Sequence, residues 1–166
     1  MHPPVGTSRP LFAAAGLIAA IIVTATAVAC GSDDPVTPKD PTYVTTLNGA
    51  SESPAKTVPG TGTATIVKSN GVYTYTITYT GMTGALTGAH IHGPAAAGVN
   101  IGVIVPFNVN GAGASGTLTG TFTGTTNPAI TPDSLDKLMT SGNAYVNLHT
   151  AANTGGEIRG QLSRQP

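Results

Sequence analysis

Two histidines spaced for one face of a strand stand in Ala89-His90-Ile91-His92-Gly93-Pro94, and a third follows in Tyr145-Val146-Asn147-Leu148-His149-Thr150. In an extended chain, residues two apart share a face, with about 6.6 Å between their Cα atoms. His90 and His92 therefore point one way, and Ala89 and Ile91 the other. On the later segment Tyr145, Asn147 and His149 share a face opposite Val146 and Leu148. If the two polar faces meet, three imidazoles converge. Neutral imidazole nitrogens at about 2.0–2.1 Å hold zinc, and imidazole also suits copper. Glu157, in Gly155-Gly156-Glu157-Ile158-Arg159-Gly160, is placed to act as a fourth ligand or to orient His149.

The same residues have an architectural reading. His90 and His92 can hydrogen-bond backbone groups in the turn before Gly93-Pro94. Glu157 and Arg159 lie two apart, which predicts a shared strand face and pairing across the sheet. Asn147 can cap a loop through its amide. None of this needs a ligand.

Other chemistry finds little support. No serine sits in a Gly-x-Ser-x-Gly elbow, and no glycine-rich loop ends in Gly-Lys-Ser or Gly-Lys-Thr. There is no tryptophan to stack on a sugar, and the tyrosines cluster on one strand. No catalytic residue is assigned.

The elements that must position the histidines are strands. Val72-Tyr73-Thr74-Tyr75-Thr76-Ile77-Thr78-Tyr79-Thr80 alternates threonine with apolar or aromatic residues, the period of a half-buried strand. Similar runs cover Tyr43 to Leu47, Gly62 to Val67, Leu86 to His92, Gly102 to Phe107, Gly116 to Phe122, Ala144 to His149 and Glu157 to Leu162. Asn70-Gly71 predicts a tight hairpin. About eight short strands joined by glycine-rich turns predict an all-β Greek-key sandwich or barrel. One segment differs. Thr131 as cap, Pro132 at the first helical position, Leu135, Leu138 and Met139 on one face, and Gly142 as a stop predict a short helix over one end of the β-unit.

The N-terminus reads as an address. Arg9 is the only charge before an apolar run from Leu11 to Ala29, as in a secretory signal. The run is nearly long enough to span a bilayer, which takes about 20 apolar residues. Ala27-Val28-Ala29-Cys30-Gly31-Ser32 then resembles the lipobox of bacterial lipoproteins, with Ala27 where leucine is usual. The resemblance implies that Cys30, the only cysteine, is lipidated and becomes the mature N-terminus. Gly31 after it implies the outer membrane in Gram-negative bacteria that sort by this position. The stretch that follows, with Pro35, Pro38 and Pro41 among polar neighbours, cannot build a core and predicts an extended tether. The expected organisation is a signal peptide over 1–29, a lipidated cysteine and tether over 30–42, and one domain over 43–166.

Charge excludes some partners. The chain carries seven basic and seven acidic residues, for a formal net charge of zero. In the domain Lys56, Lys68, Lys137, Arg159 and Arg164 stand against Glu52, Asp133, Asp136 and Glu157, with no basic stripe for a phosphate backbone. Nucleic-acid binding is not expected.

From Leu47 to Leu162 the chain resembles a CHRD domain, the module first recognised in chordin and found also in bacterial secreted proteins. The residues carrying the resemblance are Leu47-Asn48-Gly49-Ala50-Ser51-Glu52, Gly60-Thr61-Gly62-Thr63-Ala64, Ala89 to Pro94, Tyr145 to Thr150 and Gly155 to Leu162. Ser53-Pro54 and Thr154-Gly155-Gly156 depart from the usual Val-Pro and Pro-Gly-Gly. The resemblance implies an extracellular β-sandwich or barrel of immunoglobulin-like or copper-zinc superoxide dismutase-like class, with no established catalytic role. The His-x-His strand is also similar to the copper-binding strand of those dismutases. They use further histidines, an aspartate and a disulfide, whereas this domain has no further histidine and no cysteine.

The expected function is a non-catalytic binding, adhesion or scaffold module, lipid-anchored outside the cytoplasmic membrane. Its partners would be the membrane, through the lipid, and an extracellular protein or small ligand. The alternative is a copper- or zinc-binding protein using His90, His92 and His149. A third reading is a metal-dependent redox enzyme at that site.

Overall fold

The computed structural model describes residues 40–166; the expected signal peptide, the lipobox-like segment with Cys30 and nearly all of the expected tether lie outside the described residues. Nine strands form in chain order: β1 (Thr42–Asn48), β2 (Thr61–Ser69), β3 (Val72–Thr80), β4 (Leu86–His92), β5 (Val103–Pro106), β6 (Gly116–Phe122), β7 (Tyr145–Thr150), β8 (Ile158–Gln161) and β9 (Ser163–Arg164). Among the described residues one α-helix, α1 (Pro132–Thr140), comes between β6 and β7, and a short 3-10 turn, Gly49–Ser51, follows β1. All eight expected strands are present, with ends that differ by at most two residues, and the two-residue β9 is an addition. Among the described residues no helix is long and apolar enough to cross a membrane.

The strands form one antiparallel sheet in the order β5-β4-β7-β8-β1-β2-β3-β6, with β9 also pairing with β1. Local hairpins build part of it. Asn70 and Gly71, at φ of 49° and 80°, turn β2 into β3 as the Asn-Gly pair predicts. Long connections build the rest, because β3 pairs with β6, β4 with β7 and β8 with β1. The sheet curls on itself. Beyond β6, the Thr126 N–H donates to the Ile104 carbonyl of β5 at 2.8 Å, so the segment leaving one edge strand covers the other. That contact masks backbone groups that an open edge would expose.

Side-chain alternation fills the curl. On β3 every second residue is buried (Tyr73, Tyr75, Ile77 and Tyr79) and every threonine is exposed. Leu47, Ile66, Ala89, Ile91, Val146, Leu148 and Ile158 join them in one core. The helix begins as its sequence predicts, the Thr131 hydroxyl accepting from the Ser134 N–H and Pro132 opening the first turn. It seats Leu135 and Met139 in the core, fully buried. Asp136 on the same helix accepts from the Tyr43 and Tyr73 hydroxyls at 3.0 and 2.8 Å and pairs with Lys68 at 2.5 Å. All these core residues lie between Tyr43 and Leu162, so the described domain contains a hydrophobic core of its own.

Beyond the core face, β4, β7 and β8 present a second face that is also mostly buried. The segments around Glu52 and from Pro94 to Gly102 lie over it and hold each other: the Ser53 hydroxyl donates to Gly98 O, and the Asn100 amide to Ser53 O. A sheet with both faces covered must satisfy polar side chains without bulk water. The histidines occupy this second face.

Candidate metal centre

The register of β4 on β7 brings the three histidines together. Gly88 faces His149, His90 faces Asn147, and His92 faces Tyr145. Ala89, Ile91, Val146 and Leu148 alternate with them and are fully buried in the core. His90 leans over Gly88 to reach the ring diagonally across from it. A Cβ at Gly88 would lie 2.9 Å from His90 Cε1, closer than real contacts allow, so this glycine makes the space the imidazole uses.

Each histidine offers one nitrogen to a common point, and these three atoms all lie within 4.8 Å of one another. Neighbouring hydrogen bonds decide which atoms they are. His92 Nδ1 lies 2.8 Å from the Ile101 carbonyl, and His149 Nδ1 lies 2.9 Å from the Thr154 carbonyl. A carbonyl can only accept, so each Nδ1 carries the proton and each Nε2 presents its lone pair to the centre. His90 Nδ1 lies 3.2 Å from His149 Nε2 and donates to it when no ion is bound. His92 Nε2 is buried and has no hydrogen-bond partner. An ion with metal–nitrogen bonds of about 2.0–2.1 Å holds its nitrogens roughly 3.3–3.6 Å apart. One pair is already about that close, and the other separations, within 4.8 Å, would have to shorten by ring movement. Ion uptake would also move the His90 proton from Nδ1 to Nε2.

The electrostatics favour the ligating state. Burial pushes the His90 pKa down to about 4, with further lowering from His149 and His92. Burial likewise lowers His92 and His149, against the hydrogen bonds to their carbonyls. At neutral pH the rings are uncharged, as metal ligation requires.

Glu157 is a correction. Its carboxylate oxygens are taken up by donors outside the histidine cluster, and the group beside His149 Nδ1 is the Thr154 carbonyl. The carboxylate is fully buried and accepts from the Thr83 N–H at 2.7 Å, from the Thr83 and Thr150 hydroxyls, and from the Asn153 amide at 3.0 Å. Burial pushes its pKa up, but these donors outweigh burial and the net shift is downward. The orienting role on His149 belongs to Thr154. Nor does either Glu157 or Arg159 form an ion pair across the sheet among the described residues. Arg159 instead donates to Asn100, Gln161 and loop carbonyls, with its guanidinium over the Tyr145 ring. The reason is local. Glu157 precedes the first residue of β8 and follows Gly156 at φ +122°, so strand alternation does not extend to it.

Asn147 donates to Glu52 Oε1 at 2.6 Å and to Ile158 O at 3.1 Å, fastening the Glu52 segment to the sheet. Glu52 is almost fully buried, and burial raises its pKa. These positions coincide with the segments that carried the family resemblance. A family model for the CHRD domain matches residues 43–162. The chain belongs to the CHRD family. CHRD domains are in general non-enzymatic, and this one is an all-β fold of a single curled antiparallel sheet with one short helix. No curated protein matches the chain.

Within this CHRD domain, sequence reasoning placed His90 and His92 on one strand face and His149 on another, leaving their meeting as a condition, and the structure brings all three together. It missed Gly88, although Gly88 lies two residues before His90 on the same face. It also missed the Ile101 and Thr154 carbonyls, whose positions depend on loop paths that carry no periodicity.

The lowered pKa values set a pH dependence for the metal-free domain. A histidine whose folded pKa lies below the ordinary 6.5 binds fewer protons when folded than unfolded across the interval between them. Its contribution to stability is full above about 6.5 and is lost as pH falls through about 4. Urea denaturation should show stability falling over this interval in the parent and a flatter profile in His90→Asn/His149→Asn. Parallel profiles would contradict the assignment.

Proposed function

We propose that this CHRD domain is a non-catalytic module that binds one copper or zinc ion through His90 Nδ1, His92 Nε2 and His149 Nε2. The observation carrying the reading is His92 Nε2, a buried nitrogen without a hydrogen-bond partner that faces two other imidazoles. An unpaired buried polar atom costs roughly 1–3 kcal/mol, and a bound ion would remove that cost. Two of the three rings are already oriented through their other nitrogen by backbone carbonyls, as metal-ligating histidines usually are.

The ligand set consists of three neutral nitrogens. No carboxylate, thiolate or fourth imidazole joins the cluster among the described residues. Imidazoles alone suit zinc and copper rather than calcium or magnesium, which take oxygen ligands. A set of three also leaves one position of a tetrahedron for water or a small ligand. The scaffold reading is favoured by a different observation: the hydrogen bond from His90 to His149 satisfies part of the cluster with no ion present.

The signal-like N-terminus and the lipobox-like segment ending at Cys30 support a lipid-anchored position in a bacterial cell envelope, outside the cytoplasmic membrane. A proline-containing tether would hold the metal-binding domain away from the lipid.

Two measurements test these readings. Copper(II) and zinc should each bind the domain, residues 40–166 prepared without a histidine tag, at one ion per chain. Ion at about 100 times Kd should stabilise the domain by about 2.7 kcal/mol. Binding and stabilisation should both vanish in His90→Ala/His92→Ala. A folded double variant that binds as tightly as the parent would show the triad to be architecture. For the anchor, cells expressing the full chain should incorporate labelled fatty acid into it, and Cys30→Ala should abolish the label. A parent chain that stays unlabelled contradicts the lipid anchor.

A further inference from the structure

Arg159 is the largest fully buried side chain in the domain, at 1% exposure, and it has no carboxylate partner within ion-pair distance among the described residues. A charge in such a place demands several well-directed acceptors. Its guanidinium finds them mainly in the loop between β4 and β5: Asn100 Oδ1 at 3.0 Å, Val99 O at 3.0 Å and Ala96 O at 3.4 Å, with Gln161 Oε1 at 3.1 Å. One face of the same group lies 3.4 Å from the centroid of the Tyr145 ring. Tyr145 in turn stacks on His92, with centroids 4.8 Å apart and planes 4° from parallel. Guanidinium, phenol and imidazole form one column.

Both restraints on the His92 ring lead back to Arg159. The first is the Tyr145 plate, which sets the plane of the imidazole and lies under the cation. The second is the Ile101 carbonyl, which accepts the Nδ1 proton at 2.8 Å. That carbonyl belongs to the residue after Asn100, in the loop that Arg159 holds, and the Ile101 N–H donates to the Tyr145 hydroxyl at 3.3 Å. Removing the guanidinium would free the plate and the loop together.

We infer that Arg159 is the positioning residue of the histidine cluster: through Tyr145 and the Ala96–Ile101 loop it holds His92 as the Nδ1–H tautomer with Nε2 aimed at the ion. The inference builds on the reading of the three histidines as an ion site. It explains why an arginine stands at this position. Four acceptors and a stacked ring call for a planar fork, which the compact ammonium of lysine cannot replace. His149 has a separate anchor in Thr154 and does not depend on the column.

The test has one readout without metal and one with it. In the 15N-labelled domain, long-range 1H–15N spectra report the tautomer of each histidine, and zinc affinity is measured by competition with a chelator. The parent should show His92 in the single Nδ1–H form. Arg159→Met should convert His92 to a tautomer mixture, leave His149 unchanged and weaken zinc binding about 10–100-fold. Arg159→Lys should not restore either property. A folded Arg159→Met domain that keeps the His92 tautomer and parental affinity overturns the inference. If Arg159→Met does not fold, Asn100→Ala removes one of its acceptors from an exposed loop and should move both readouts the same way by less. No change in either readout there also overturns it. A parent that binds no zinc while its His92 tautomer still follows Arg159 would refute the ion site and leave the positioning role standing.

Discussion

The site depends first on the pairing of β4 with β7. A strand presents its side chains alternately to two faces, so a single register places four apolar residues in the core and three histidines on the opposite side. Ala89, Ile91, Val146 and Leu148 are all fully buried, and any slip by one residue would exchange them with the imidazoles. Hydrophobic burial therefore fixes the polar geometry as well as the fold. The pairing also joins segments more than fifty residues apart in the chain, with β5, β6 and α1 between them. The histidines can meet only after that long-range pairing has formed.

Covering the second face with loops changes what its polar groups can do. Near bulk water three imidazoles would be solvated and freely protonated. Under the segments around Glu52 and Asn100 burial favours their neutral form, and two of the three are held by specific carbonyls. Other buried polar groups on β7, β8 and the adjoining loops are bonded as expected: Asn147 to Glu52, Glu157 to two threonines and Asn153, and Arg159 to four acceptors. Against that background the unpartnered His92 Nε2 is an exception within a well-satisfied layer. Satisfied networks give the layer its rigidity, and one open nitrogen gives it a ligand to offer.

The legible and illegible parts of the sequence divide along physical lines. Period-two patterning marked eight strands, because alternate burial of Tyr73, Tyr75, Ile77 and Tyr79 is written in every second residue of β3. The helix announced itself through Thr131, Pro132 and its apolar stripe. The same parity argument put His90 and His92 on one face and His149 on another, while their meeting follows from the register of β4 on β7. It failed at Glu157, where Gly156 at φ +122° interrupts the alternation just before β8. Arg159 was visible as a charge in a strand, yet its partners are loop carbonyls about sixty residues earlier in the chain. Backbone carbonyls carry no residue-type signal, so the groups that orient His92 and His149 could be found only from the fold.

X-ray absorption at the zinc or copper edge of the loaded domain tests the central claim most directly. Three imidazole nitrogens at about 2.0–2.1 Å, falling to two or fewer in His149→Ala, are the expected result. An edge dominated by oxygen scatterers and identical in parent and variant would contradict a metal centre built from His90, His92 and His149.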